Sequence, residues 1–516
     1  MNSPFTGIVQ TLLEKFRTHR SARNVIWNML GGFWAGVLSV LATPWYVARL
    51  GLAGYGIIGL WLMMQVMLGL LDMGMGASLV REFANARSGL NRLEYRRDLL
   101  RSLEVVYGAT ALLFCLVLGI LAGAIVHHWL KVPAALGENL PQTIRLMGMT
   151  LALQFVCILY VNGLSGIQEH GQMNAVQMFG NTLRYGGGVA VLFWRAELEA
   201  FFLAQVIVAA VQMMALRSIL WKKISKGASR PPTFNFSILK RMGRFSAGMA
   251  ATAVFSVLLC NIDRIMISRM LPASELGKYA LAFTATGLLQ MAIQPFYRSF
   301  FPRYAELISI GNENQLLEEY FYSCQFLSIV ILALSVVAWC FAPELFAIWL
   351  NHVDDSIIKI FRWLIFGITC AGLMWLPAAL QQAQGRPGLH VGMIIGALLL
   401  GLPVMVWAIN RYGVVGGTAV WVLHGVSGLT LELWLMHRRM LVGYLGAWYR
   451  KVILVPAIII FPLVIGSAWF MPKDLGSITS LLWIGITGSA VSLAALFGTG
   501  VIRSTLAFSK LHSGGE

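Results

Sequence analysis

The sequence has few charged residues, and acidic ones are scarcest. Of its 516 residues only 12% are charged, and 22 Asp and Glu face 39 Lys and Arg. No Walker-type phosphate loop with its lysine is present, which argues against direct use of ATP. No stretch alternates apolar and polar residues in the manner of membrane-barrel strands. What remains is apolar: 58% of the residues are hydrophobic, and the mean hydropathy is +0.72.

The sequence also gives no indication of disulfide bonds or of a metal site. All six cysteines fall inside stretches predicted as membrane helices, which argues against a disulfide framework. His127 and His128 stand together without further ligand types and are interpreted as residues of the membrane interface. Segment 1–23 does not resemble a removable signal. Its apolar residues share one helical face, which predicts an interfacial helix, with a frayed tail as the alternative.

Apolar stretches long enough to cross a bilayer follow one another along the chain. Because backbone in lipid must satisfy its own hydrogen bonds, each stretch is predicted to be a helix. We therefore predict an all-α polytopic membrane protein with about fourteen transmembrane helices. They are placed near 24–47, 54–79, 103–127, 144–165, 175–194, 199–219, 246–270, 278–300, 321–343, 358–382, 389–409, 414–436, 451–471 and 476–500.

The second half of the sequence echoes the first. Tyr55 and Arg81 correspond to Tyr279 and Arg303, about 220 residues later, within similar surroundings. Parallel repeats in transporters imply a pseudo-two-fold axis along the membrane normal and a cavity between two lobes. We predict two six-helix lobes and two peripheral helices. The divisions are the interfacial segment 1–23, the N-lobe 24–220, a basic cytoplasmic linker 221–245, the C-lobe 246–437, and the last two helices with a cytoplasmic tail, 438–516.

The basic residues carry information about topology. The formal net charge is +17, and Lys and Arg concentrate in the segments 81–101, 222–244 and 438–451. Cytoplasmic loops are enriched in basic residues, so both termini are predicted to be cytoplasmic. On such an apolar chain we interpret the basic excess as topology and contact with anionic membrane lipids, and we do not expect nucleic acid as a partner.

Two parts of the chain resemble the Wzx-type flippases of polysaccharide and O-antigen units. One is the opening from Asn24 through Pro44 to Gly56, and the other is NIDRIMISRMLPASELGKYALA at 261–282. Those flippases share a superfamily with multidrug and toxin extrusion (MATE) proteins and lipid II flippases, although many of them have twelve helices. The resemblance implies a MATE-like fold in the bacterial cytoplasmic (inner) membrane. It also implies an undecaprenyl-diphosphate-linked oligosaccharide as cargo, with polysaccharide polymerase and chain-length machinery as further partners.

Carrying a diphosphate headgroup across a membrane requires a polar, cationic cavity, and arginine binds phosphate oxygens while staying charged when desolvated. Arg184 is the most deeply placed arginine of the predicted helices and shares one face with Gln177 and Asn181. A carboxylate partner would make Arg184 structural, whereas an unpaired Arg184 that faces the cavity would be a diphosphate ligand. In the first two predicted helices, the candidate substrate-binding residues are Asn28, Trp34, Arg49 and Gln65.

The second lobe supplies another polar stripe. Gln290, Gln294 and Arg298 recur every four residues and therefore line one helix face. Lining of the substrate cavity is the favoured interpretation, and bonding between helices is the alternative.

Charged residues close to the end of the seventh predicted helix form a second group. Asp263 and Arg264 are neighbours that project about 100° apart on a helix, so they need not pair with each other. Arg264 is a substrate-binding candidate, and Asp72, Asn261 and Asp263 are candidates for a coupling Na⁺ or H⁺. The structural alternative for this group is to bond a neighbouring helix and fix the lobe.

Two other function classes fit parts of the sequence. A multidrug exporter would share the predicted fold, but such exporters typically use acidic and aromatic cavities for cationic drugs, whereas this sequence places arginines there. A membrane-embedded polymerase or glycosyltransferase usually carries catalytic residues on sizeable outer loops, and the predicted outer loops are short. We therefore predict an alternating-access transporter rather than an enzyme, with no cofactor beyond the coupling Na⁺ or H⁺.

Overall fold

In the computed structural model, helices make up nearly all of the described part of the chain, which contains no β-strand. The described residues are 20–85, 90–133, 139–225, 230–237, 240, 255–351, 354–386, 388–472 and 476–500. They divide into two compact units. The first runs up to Leu258 and includes Pro272–Ser274, and the second consists of Leu259–Leu271 and the residues from Glu275 onward. Most of segment 1–23 lies outside the described residues, so its predicted interfacial helix stays a prediction.

The first unit begins with a long helix, α1, Arg20–Asp72, which is interrupted at Gly51. Gly51 has φ 68° and ψ 177°, a conformation that glycine adopts without steric cost. A second interruption follows at Met73 and Gly74, both with positive φ, so the helix predicted over 54–79 is wrong at its end. The other helices are α2 Met75–Asn85, α3 Leu90–Ala124, α4 Leu140–Gly166, α5 His170–Trp194 and α6 Leu198–Ile224.

Within this unit α4 packs against α3 and α6, and α5 packs against α1 and α6. The described part of the predicted linker also belongs here. The backbone N–H of Thr233 donates to Asp98 Oδ1 on α3 (2.7 Å), and that of Asn235 donates to Ser102 Oγ (2.8 Å). Residues 230–237 therefore follow the surface of α3.

The second unit consists of a succession of helices, several of which are broken. Its predicted span 358–382 is broken at Met374, and a 3₁₀ turn (Gly413–Thr418) and a π turn (Gly428–Glu432) interrupt the span 414–436. The helices are α7 Ile262–Met270, α8 Ala273–Ile310, α9 Glu313–Cys340, α10 Ala342–Leu350, α11 Asp355–Leu373, α12 Trp375–Ala383, α13 Gly388–Tyr412, α14 Ala419–Ser427, α15 Leu433–Met440, α16 Leu445–Trp448, α17 Val455–Phe470 and α18 Ser477–Gly498.

The last two helices are part of the second unit's packing. Side chains of α17 and α18, such as Ile460 and Val491, share one buried apolar cluster with Ile329 and Val336 of α9. Burying aliphatic side chains of this size is worth about 1.5–3 kcal/mol each in water, but between helices in lipid the gain comes mainly from close packing.

Nine helices in the described part of the chain are long and apolar enough to cross a membrane. Two of them, Trp27–Asp72 with 46 residues and Gly388–Met440 with 53, are each long enough to cross a hydrocarbon core of about 30 Å twice. Each is interrupted by a glycine with positive φ, Gly51 and Gly413. The predicted multi-pass all-α architecture is confirmed, whereas the count of fourteen, the pseudo-two-fold axis and the lobe divisions stay predictions.

Candidate functional site

Arg184 lies on α5, where this helix packs against α6. Its Nη2 donates to Gln212 Oε1 at 2.9 Å, whereas its Nε is buried without a hydrogen-bond partner. In the described part of the chain no carboxylate oxygen lies within 4.0 Å of the guanidinium. Gly180 allows this arrangement, because a Cβ there would stand 2.8 Å from Gln212 Cδ. Of the two roles that the sequence leaves open, the geometry matches an arginine without a carboxylate partner.

The backbone around Arg184 is held as well. Gln205 Nε2 on α6 donates to the carbonyl oxygen of Arg184 at 3.0 Å. The Tyr46 hydroxyl on α1 donates to the carbonyl oxygen of Tyr185, also at 3.0 Å. Carbonyls this deep in a helix already accept an intrahelical bond, so these extra donors lock α5 against both neighbours. The guanidinium therefore projects from a rigid backbone.

The candidates of the first helix lie along the contact between α1 and α5. Trp34 Nε1 donates to Thr182 Oγ1 at 2.9 Å, and Asn28 Oδ1 accepts from Asn174 Nδ2 at 2.8 Å. The guanidinium of Arg49 lies 4.4 Å from the centre of the Phe193 ring, a cation–π contact. These side chains bond two helices, although Trp34 and Arg49 keep exposed surface.

Three further candidates of the first unit are amides. Gln177 and Asn181 are half-buried and share the face of α5 that carries Arg184. Gln65, on the second half of α1, is half-buried too, and its Nε2 has no hydrogen-bond partner. An amide N–H buried without an acceptor costs free energy, and the predicted role of Gln65 in substrate binding stays a prediction.

Asp72 has a local role that the sequence pattern did not indicate. Its carboxylate accepts from the backbone N–H of Gly76, with N–O distances of 3.1 and 3.2 Å, and from the Tyr107 hydroxyl on α3. The carboxylate thus caps the start of α2 after the turn at 73–74. Its predicted coupling role is a separate matter and stays a prediction.

In the second unit, Asp263 and Arg264 stand in a closed polar cluster. Asp263 is fully buried and accepts from the Tyr279 hydroxyl (2.6 Å) and from Trp421 Nε1 (2.9 Å). Arg264 is 7% exposed, donates to Asn261 Oδ1 (2.8 Å) and lies 4.2 Å from the centre of the Phe283 ring. Although neighbours project apart, the flexible arginine returns to within 3.7 Å of Asp263 Oδ1.

The cluster has a local cause. Helix α7 begins at Ile262, so Asp263 lies in its first turn, where a carboxylate is stabilised by the positive end of the helix dipole. Its contacts to Tyr279 on α8 and Trp421 on α14 tie three helices together. This geometry matches the structural alternative for the group, and the predicted roles in ion coupling and substrate binding stay predictions.

The polar stripe on α8 is more exposed than the cluster around Asp263 and Arg264. Gln290 is half-buried, and Gln294 and Arg298 are exposed. Arg298 Nη2 donates to Gln294 Oε1 at 3.2 Å, which is the i, i+4 spacing that places both on one face.

The sequence pattern does not single out two buried acids. Glu104 on α3 accepts from Trp221 Nε1 (2.7 Å) and Tyr160 Oη (2.9 Å) and pairs with Arg217 Nε (3.1 Å). Glu432 is 1% exposed and contacts a histidine of α13. The signal that could have found them is simple, since each is an acid inside a predicted span, 103–127 and 414–436.

The fold is that of a multi-pass membrane transporter. A lipid II flippase, MurJ, in an inward closed conformation superposes with a TM-score of 0.69 at 12% identity over 94% of this chain and 100% of that one. An inward-facing multidrug resistance MATE family transporter of the MOP superfamily superposes with a TM-score of 0.61 at 14% identity, over 80% of this chain and 96% of that one. The predicted MATE-like fold is thereby confirmed.

The sequence itself defines the family. The model of the polysaccharide biosynthesis protein family matches residues 21–308, more than half of the chain, and the chain belongs to that family. Among its relatives are a protein of Shigella flexneri named as an O-antigen transporter, 20% identical over 81% of this chain and 97% of that protein, and the lipopolysaccharide biosynthesis protein WzxC of Escherichia coli K12, 24% identical over 59% of this chain and 61% of that protein. The predicted resemblance is confirmed.

Proposed function

We propose that this protein is a flippase for undecaprenyl-diphosphate-linked oligosaccharides. It moves these units from the inner to the outer leaflet of the bacterial cytoplasmic membrane for the synthesis of a surface polysaccharide. Family membership and the names of its relatives support a transporter for surface-polysaccharide units. The observation that carries the proposal is Arg184, whose guanidinium bonds the amide of Gln212 and has no carboxylate oxygen within 4.0 Å among the described residues, whereas Arg264 has Asp263.

The chemistry of the cargo explains why this arginine matters. A diphosphate brings anionic oxygens that accept charge-assisted hydrogen bonds, each about twice as strong as a neutral one. Arg184 cannot shed its proton on burial, so its charge requires a counter-charge. The headgroup of the cargo supplies that counter-charge in our proposal. Gln177, Asn181 and Gln65 then offer amide groups to sugar hydroxyls, and Trp34 offers an aromatic face.

The second lobe contributes the remaining contacts. In our proposal Gln290, Gln294 and Arg298 present a polar face that binds the cargo, and transport between the leaflets proceeds by alternating access. Both termini and the linker 221–245 are assigned to the cytoplasm, where basic residues concentrate. Polysaccharide polymerase and chain-length machinery are the expected partners on the outer side, and an Na⁺ or H⁺ gradient is the expected drive.

A cation-coupled multidrug exporter is the second candidate, favoured by the superposition with the MATE transporter. The two functions differ in the charge of the cargo. An exporter of cationic drugs gains nothing from an arginine without a counter-charge, so Arg184 distinguishes them.

The test is reconstitution into liposomes that contain a labelled polyprenyl-diphosphate oligosaccharide, with crossing between leaflets as the readout. We expect crossing to require the protein and to fall in Arg184→Ala. Arg145→Ala is the matched control, because it removes an exposed arginine from the same unit, far along the chain from the polar stripe. Export of cationic dyes without any lipid crossing would reassign the protein as a multidrug exporter.

A further inference from the structure

A carboxylate that none of the functional assignments uses lies buried in the second unit. Glu432 ends the π turn Gly428–Glu432 and is 1% exposed. Its Oε1 accepts a hydrogen bond from Gln381 Nε2 on α12 (3.0 Å) and lies 2.9 Å from His390 Nδ1 on α13. Single π turns inside α-helices are rare and are often found at functional sites.

Among the described residues, no arginine or lysine side chain pairs with this acid. In the described part of the chain, His390 is the only basic side chain within 4.0 Å of Glu432. The titratable groups that face it are His390 on α13 and the buried His424 on α14, while α12 contributes only the neutral Gln381. Further away, α11 brings Cys370 against the backbone of Gly425. An ionised carboxylate in such surroundings is costly, so its charge depends on whether a proton is at hand.

His390 provides a path for that proton. Its side chain is 23% exposed, whereas that of Glu432 is 1% exposed. Imidazole both accepts and donates a proton near neutral pH. His390 can take a proton from water at Nε2 and pass the proton on Nδ1 to Glu432 Oε1. The imidazole is then neutral again, the carboxyl is neutral, and the net change is one proton taken up.

The same group of side chains fits a metal cation poorly. Hard cations prefer several oxygen ligands, whereas here one carboxylate meets a ring nitrogen and an amide N–H. No group of three His, Cys, Asp or Glu that could hold a metal ion is found among the described residues.

We propose that Glu432 and His390 form the proton-binding site that couples a proton gradient to transport by this protein. The coupling rests on the proposed flippase function. Protonation changes the charge at a point where α12, α13 and the π turn meet, so it alters the packing of three elements of the second unit. Gln381 contributes further, because its Oε1 is buried without a hydrogen-bond partner and can accept a bond from the protonated acid once the amide group turns over.

The transport test compares lipid crossing with and without a proton gradient of about one pH unit across the liposome membrane. One pH unit is worth up to about tenfold for each coupled proton. We expect the wild type to gain several-fold from the gradient. Glu432→Gln, which keeps the shape of the side chain, should cross lipid without that gain. Glu104→Gln is the matched control, since it neutralises another buried glutamate that has an arginine partner, and it should respond like the wild type.

A second measurement does not depend on transport. Infrared difference spectra of the purified protein, recorded over a series of pH values, report protonation of a buried carboxyl group. We expect the signal in the wild type and in Glu104→Gln, and its loss in Glu432→Gln. If Glu432→Gln does not accumulate, the transport and infrared measurements are made on His390→Gln instead. An unchanged gradient response together with an unchanged infrared signal overturns the proton site, whereas a normal infrared signal without lipid crossing overturns the flippase function and leaves the site standing.

Discussion

Arg184 and Arg264 are both arginines of predicted membrane spans, one in each unit, and their surroundings are opposite. Arg264 contacts Asp263, Asn261 and the ring of Phe283. Arg184 has the amide of Gln212 and no carboxylate in the described part of the chain. A charged side chain that is neutralised by a partner in its own unit stabilises the packing of that unit. A charge left without a counter-ion requires one from elsewhere, and in the proposed function the diphosphate of the cargo supplies it.

The largest effect in this comparison is expected for Arg264→Ala. Removing one member of a buried ion pair leaves the other charge uncompensated, which costs about 3–5 kcal/mol. We expect reduced membrane accumulation and a lower melting temperature of the purified protein. The double variant Arg264→Ala with Asp263→Asn should regain part of the loss, because no charge is then left alone. A stable Arg264→Ala protein that fails only in transport would place Arg264 with Arg184 instead.

Arg184→Ala should separate transport from folding. A charge-assisted hydrogen bond contributes about 1.5–3 kcal/mol, so lipid crossing should fall by roughly 10- to 100-fold while accumulation stays near that of the wild type. Arg184→Lys should recover only part of the activity, because lysine lacks the planar guanidinium that binds two phosphate oxygens. Loss of accumulation in Arg184→Ala would make this arginine structural as well.

The positions of the two arginines could be predicted from the sequence, but their hydrogen-bond and ion-pair partners could not. Helical spacing alone placed Gln177, Asn181 and Arg184 on one face. The partner of Arg184 turns out to be Gln212 rather than a carboxylate. Gln212 lies 28 residues away on another helix, and nothing in the sequence near Arg184 indicates this contact. The same holds for Asp263, whose partner Trp421 is 158 residues distant.

The helix interruptions were harder to predict than the apolar spans. Hydropathy identifies a span but is insensitive to a single residue with positive φ, such as Met73 or the glycine at position 51. Glu104 and Glu432 could not be singled out from the sequence for a different reason. Each stands in a predicted span, yet a search for repeated or clustered polar residues passes over an isolated acid whose partners come from other helices.

Asp263→Asn sharpens the contrast between two buried acids of the second unit. Asp263 has a guanidinium nitrogen at 3.7 Å, whereas the imidazole of His390 is the only basic group within 4.0 Å of Glu432 among the described residues. We expect Asp263→Asn to lower stability through the unpaired Arg264 while the response of lipid crossing to a proton gradient remains. Asp72→Asn should behave similarly, since Asp72 caps a helix. Loss of the gradient response in either variant, measured as the ratio of crossing rates with and without the gradient, would instead assign the coupling to that acid.

The smallest effect is expected for the ion pair between Asp354 and Lys278, which lies just before helix α11. Asp354 precedes α11 and accepts from Lys278 Nζ at 2.7 Å and from the backbone N–H of Ser356 at 2.9 Å. The bond from Lys278, followed by that from Ser356, lowers the pKa of Asp354 to about 2. A lowered pKa means that the ionised form stabilises the folded state. This contribution is complete above about pH 4 and is lost as the pH falls toward 2.

The size of that contribution is limited by solvent. The side chain of Asp354 is 40% exposed, and pairs of this kind are worth about 1 kcal/mol or less. Asp354→Asn should therefore lower the melting temperature by a few degrees at most at neutral pH, and the difference from the wild type should shrink below about pH 4. High salt should reduce it as well, because exposed charges are screened. A loss as large as that of Arg264→Ala would mean that burial is not what separates the two ion pairs, and the contrast between Arg184 and Arg264 would then need another cause.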